Sequence, residues 1–147
     1  MRLVQFLALV LTAIALVPVG THLFALPNKI AMTKADYLVA QHVYNGWAWF
    51  GVPLIGALVA NAGAAFVVRG KGAPFLLACA STLGIAAMLA IFFTFTFPAN
   101  QATANWTMLP DNWEALRRQW EYSHAVNAFV TFAAFCALSW SILLSRK

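Results

Sequence analysis

The chain has 147 residues, 63% hydrophobic and 9% charged, whereas soluble domains run about 45–50% apolar and about 25% charged. A soluble domain cannot hide that much apolar surface, and the net charge of +5 comes from bases dispersed between apolar runs. They form no groove-reading stripe or arm, which excludes nucleic acid as a partner.

Four charge-free runs, residues 3–28, 37–68, 72–110 and 122–145, each exceed the roughly 20 residues that a helix needs to cross about 30 Å of hydrocarbon. The sequence therefore predicts an all-α integral membrane four-helix bundle in a single domain, with spans near 3–26, 43–68, 75–97 and 122–145. Orientation follows from the bases between the spans, because cytoplasmic segments carry the excess of Lys and Arg. Arg2, Arg69, Lys71, Arg146 and Lys147 fall on one side with no acid, while Lys29, Lys34, Arg117 and Arg118 are matched on the other by Asp36, Asp111, Glu114 and Glu121. Both termini are expected in the cytoplasm, and a bacterial inner membrane is the expected location. The apolar stretch after Met1-Arg2 is longer than a signal-peptide core, so it reads as a retained helix.

In chain order, Pro18 and Gly20 loosen the outer third of the first span and Pro27 stops it. Residues 28–41 make a short external connection with room for a turn of interfacial helix. The second span is expected to begin near His42 and carries Gly46, Pro53, Gly56 and Ala60 on one face. Small residues permit close approach of a neighbouring helix, in the same bundle or in a second copy, so this face is a candidate for oligomer contact. Asn61, deeper in that span, reads as a polar link between helices. A tight turn at 70–74 leads to the third span, whose outer end is the aromatic stretch Phe92, Phe93, Phe95 and Phe97, ended or kinked by Pro98.

Asp111 followed by Glu114 resembles an acidic capping box, and no Gly or Pro interrupts the chain beyond it. The fourth helix is thus expected to run about 34 residues, roughly 50 Å, and to extend beyond the bilayer on the outer side. On it Trp113, Arg117, Trp120, His124, Asn127 and Thr131 fall within about 40° of one line at 100° per residue. Interfacial belts explain Trp and Arg at such depths. An ionisable or strongly polar group within a span usually faces the bundle interior and marks function, which singles out His124 and Asn127.

His22, His42 and His124 all fall at the outer ends of their spans. Converging imidazoles would hold copper, zinc or iron, while separate histidines would be interfacial or hydrogen-bonded; both readings stay open. Asn100 adds an amide at the same level. Cys79 and Cys136 form no Cys-x-x-Cys pair, which argues against the dithiol chemistry of quinone-linked thiol oxidoreductases.

Phe97-Pro98-Ala99-Asn100, followed by a Trp-bearing loop and then Trp120-Glu121-Tyr122-Ser123-His124, resembles the signature of a family of small four-span membrane proteins that includes the anthrone oxygenases. That family typically has Pro-x-Asn at the outer end of the third helix and Trp-x-x-x-His-x-x-Arg entering the fourth. Pro98, Asn100, Trp120 and His124 match, and Asn127 stands where many members carry arginine. The resemblance implies an oxidoreductase, possible without a cofactor or with a histidine-bound metal such as copper, acting on a lipophilic phenolic or polycyclic aromatic compound. His124, Asn100 and Asn127 would be catalytic, with Trp113, Arg117, Trp120, Phe93 and Phe97 lining the substrate site. The alternative is a non-catalytic membrane protein that binds a lipid, quinone, haem or metal, or a structural subunit of a membrane complex.

Overall fold

The computed structural model describes residues 2–145. Arg146 and Lys147, counted above in the charge of one face, lie outside the described residues. The elements are α1 (Arg2–Lys29), α2 (Lys34–Gln41), two 3-10 turns (His42–Tyr44 and Trp47–Phe50), α3 (Gly51–Val67), α4 (Ala73–Ile91), a π turn (Phe92–Thr96), α5 (Phe97–Ala102) and α6 (Trp113–Ser145). Four stretches are long and apolar enough to cross a membrane: Arg2–Lys29, Trp47–Val67, Ala73–Ala102 and Trp113–Ser145. The protein is an all-α bundle of four spans. Both described chain ends lie at one end of it, where Gln5 Nε2 donates to Ser145 Oγ at 3.1 Å; we call this the termini end and its opposite the loop end.

Packing follows a repeat of three and four residues, as in coiled coils. On α1 the buried positions include Gln5, Ala8, Thr12, Ala15, Val19, His22 and Lys29. On α6 they include Trp113, Arg117, Trp120, His124, Asn127, Thr131, Ala134, Leu138, Ser141 and Ser145. These seams are small or polar, while Phe6, Phe24, Ile55, Phe66, Leu83 and Phe129 stand exposed around the bundle. That inversion suits a lipid solvent, in which helices associate through close backbone approach and interhelical hydrogen bonds.

Two contacts illustrate it. Asn61 Nδ2 donates to Thr12 Oγ1 (2.8 Å) and Asn61 Oδ1 accepts from Ser81 Oγ (2.6 Å), joining α3 to α1 and α4 as the sequence suggested. Gly84 lets α4 approach α6 so closely that an added Cβ would lie 2.9 Å from Ala134 Cβ. Gly84→Ala is therefore expected to cost about 1–3 kcal/mol as the helices move apart, and the double variant with Ala134→Gly to recover most of it in thermal unfolding in detergent.

The structure departs from the sequence reading at three places. The second span does not start at His42: α2 is a separate helix, capped by Thr33, and Gly46 at φ +85° breaks the path before Trp47. Gly46 therefore belongs to a turn, while Gly56 packs on Leu11 of α1 and Ala60 joins a cluster with Ala8, Ala64 and Leu138. Gly56 and Ala60 of the small-residue face thus make contacts inside the bundle. At the third span, Pro98 does not end the helix; the backbone widens into a π turn just before it, where Phe97 N–H reaches Phe92 O. A π turn inserts one residue into the register, so Thr96 and Thr103 are buried where an unbroken repeat would bury Phe95 and Ala102. Finally, α6 begins with the backbone bond from Trp113 N–H to Pro110 O at 3.0 Å, and Asp111 and Glu114 remain exposed. The capping arrangement belongs instead to Thr33, which accepts from Asp36 N–H (3.3 Å) and donates to Asp36 Oδ2 (2.7 Å).

Candidate functional site

The loop end holds a cavity of about 610 Å³, within the ordinary range for small-molecule sites. Its deep walls are apolar, with Pro18, Val19, Leu54, Met88 and Leu89, and its polar groups include His22, Asn100, His124 and Asn127. The register of α1 and α6 brings the two histidines together: their ring centroids are 4.0 Å apart and tilted by 31°. His22 is 4% exposed and His124 8%. The Nδ1 atoms of both rings, Asn127 Oδ1 and Thr131 Oγ1 are buried without a partner. Buried polar atoms normally find one, so these orphans, grouped between α1 and α6, mark a place equipped for something other than packing.

Trp120 closes this group toward the loop end. Its ring meets His124 (4.4 Å), His22 (4.7 Å) and Trp106 (5.7 Å) between centroids. Asn100 fixes two of these rings at once, its Oδ1 accepting from Trp120 Nε1 (2.8 Å) and Trp106 Nε1 (3.0 Å). The Trp106 side depends on an uncommon backbone, since Ala104, Asn105 and Trp106 all have φ between 48° and 62°. Each such residue without glycine's freedom costs about 1–2 kcal/mol. The turn is held by Asn105 N–H to Asn100 O (2.7 Å) and Trp106 N–H to Thr103 Oγ1 (3.1 Å).

Behind Trp120 lies a charged network that the sequence reading missed. Lys29 Nζ is 2.7 Å from Glu121 Oε1, with both side chains almost fully buried. Tyr37 donates its hydroxyl to the same Glu121 oxygen (2.9 Å), Gln41 Nε2 donates to the Tyr37 hydroxyl (2.8 Å), and Lys29 Nζ donates to Gln41 Oε1 (3.2 Å), closing a ring of four side chains. The ammonium also sits 4.5 Å from the Tyr44 ring centroid and 4.6 Å from that of Trp120, within cation–π range. Burial and the Glu121 carboxylate push the phenols of Tyr37 and Tyr44 up, so both stay neutral. The available signal was position: Glu121 is one turn from both Arg117 and His124, at the edge of their stripe.

The expected site residues divide. His124, Asn100, Asn127, Trp120, Phe93 and Phe97 line the cavity together with His22. Trp113 and Arg117 do not, because the first turns of α6 extend past the cavity and pack on the 30–41 connection. Trp113 lies 6.0 Å from Tyr37 between ring centroids, Arg117 stacks on Trp113, and Arg117 donates to Met32 O at 2.8 Å. His42 is exposed on its 3-10 turn, outside the cavity. The three-histidine metal centre accordingly does not assemble: among the described residues no three His, Cys, Asp or Glu side chains gather as ligands. Cys79 and Cys136 are both free.

Fold and cavity together define a multi-pass integral membrane protein with a mostly apolar chamber at one end of its bundle. No family model, curated protein or solved structure matches the chain.

Proposed function

We propose that this protein is a membrane-embedded oxidoreductase that oxygenates a lipophilic phenolic or polycyclic aromatic compound held in the loop-end cavity. The paired imidazoles of His22 and His124, with unpartnered Nδ1 atoms beside an apolar chamber, carry this reading. Such a chamber accepts a flat ring, and the imidazoles and amides accept its oxygen function. The uncompensated bases Arg2, Arg69 and Lys71 support placing the termini end in the cytoplasm. In a bacterial inner membrane the cavity then opens in the outer half of the bilayer.

His124 takes a proton from the acidic carbon or hydroxyl of the ring system, while the amides of Asn100 and Asn127 donate to the oxyanion that develops. Asn100 is positioned for this because both indoles occupy its Oδ1 and orient the amide. The electron-rich anion is the species that reacts with oxygen: a ring CH2 and O2 give a ring carbonyl and water, with oxygen as the electron acceptor. The family resemblance at Pro98, Asn100, Trp120 and His124 supports the same class of substrate.

Oxygen consumption and product formation with candidate hydroxylated anthrones, measured on purified protein in lipid, test the proposal. His124→Ala is expected to lower the rate by about 10²–10⁴-fold, the usual contribution of a positioned base, with folding checked by thermal unfolding. An unchanged rate in that variant overturns the reading. Tight binding of the ring compound by wild-type protein without oxygen consumption would favour a non-catalytic carrier of quinones or related lipids.

A further inference from the structure

Several residues that line the cavity also reach the surface, and they fall into two groups of different character. Asn45 and Asn105 do so at the loop end, with polar side chains. Ile55, Phe93 and Phe97 do so on the side of the bundle, at 60%, 61% and 40% exposure. There α3 packs on α1 and α4 but at most sparsely on the π turn, so Ile55 and Phe93 flank a weakly packed gap between the helices. The π turn helps create this gap, because its extra residue turns Phe93, Phe95 and Phe97 outward.

The charges are arranged to leave the chamber neutral. Among the described residues, no Lys, Arg, Asp or Glu lines it. Lys29 is paired with Glu121 behind Trp120, and Arg117 is engaged by the Met32 carbonyl. An ionised ligand would leave water for a site without a counter-charge, which is strongly unfavourable.

We infer that the gap between Ile55 and Phe93 is a lateral portal to the bilayer and that the ligand is an uncharged amphiphile. Its oxygen-bearing ring lies against His22 and His124, and its hydrocarbon tail passes through the portal into the lipid. A tail in that gap exchanges one apolar surrounding for another, so it adds membrane retention without a desolvation cost. The polar side at Asn45 and Asn105 serves water and protons instead. This rests on the reading of the cavity as a ligand site and adds the tail, the neutral head and the route of entry.

The test is anaerobic photo-crosslinking in phosphatidylcholine vesicles, using para-dodecylphenol with a diazirine in the middle of its tail and peptide mass spectrometry. Adducts are expected to concentrate at residues 51–55 and 93–97, and to be competed by para-dodecylphenol but not by dodecanoate. Ile55→Trp, a change at an exposed position that thermal unfolding should find stable, is expected to lower the adduct yield about tenfold, equivalent to about 1.4 kcal/mol. Adducts spread equally over Val59, Phe129 and Phe132, equal competition by dodecanoate, or a yield unmoved by Ile55→Trp would each overturn the portal. Because oxygen is absent, its failure is separable from that of the oxygenase proposal: portal adducts without aerobic turnover leave the portal standing, and turnover of tailless rings without portal adducts leaves only the oxygenase.

Discussion

Glu121→Ala is expected to destabilise the bundle by about 3–5 kcal/mol, the usual result of removing one member of a buried ion pair. The cause is the charge left behind. Lys29 would remain buried between the rings of Tyr37, Tyr44 and Trp120 with Gln41 Oε1 as its remaining hydrogen-bond acceptor among the described residues, and the Tyr37 hydroxyl would lose its acceptor as well. Lys29→Met is expected to be comparably harmful, since it strands a carboxylate whose Oε2 already lacks a partner. The double variant Lys29→Met/Glu121→Leu should be more stable than either single one, because removing both charges abolishes the desolvation penalty that each single change exposes. Reversible unfolding in detergent across the four proteins gives the coupling directly. Additive losses in the double variant would mean that the two residues act through separate contacts. The pair joins the end of α1 to α6, so its loss should be felt first at the loop end.

How much of this could be read in the sequence depended on the range of the interaction. Charge-free runs and helical periodicity are local, and they located the four spans and the inward face of α6, including His124 and Asn127. Asn61 was legible as a link because a lone amide deep in an apolar span has few other ways to satisfy itself. Lys29 and Glu121 were not legible as partners. Each sits at the boundary of a charge-free run, where a solvated or snorkelling side chain is the ordinary outcome, and no local pattern connects residues 29 and 121. The histidines show the same limit in reverse: sharing one end of the membrane did not make three of them meet. Gly46 turns the chain and leaves His42 outside, whereas the seam repeat carries His22 to His124. At Pro98 the sequence signalled a disturbance but not its form, because a kink, a stop and a π turn all answer the same missing N–H.

Trp120 is where the charged network and the cavity meet, and Trp120→Ala is the second large effect expected. Truncating a buried Trp typically costs about 3–5 kcal/mol, and this ring also covers the Lys29 ammonium and both imidazoles. Without it, the path for water from the loop end to His22 and His124 would widen, and Trp106 would lose the neighbour that shares its Asn100 acceptor. Trp120→Phe separates these roles. It keeps an aromatic face over the ammonium but cannot donate to Asn100, so it is expected to cost closer to the roughly 1 kcal/mol of one hydrogen bond, with some loss from reduced ring volume. Hydrogen exchange by mass spectrometry distinguishes a local from a global effect. In Trp120→Ala, protection should fall in α2 and the 103–112 connection, while α3 and α4 around the Thr12, Asn61 and Ser81 bonds retain theirs. Uniform loss of protection would instead show that the ring stabilises all four spans as one cooperative unit, and the loop end could then not open independently of the bundle that supports it.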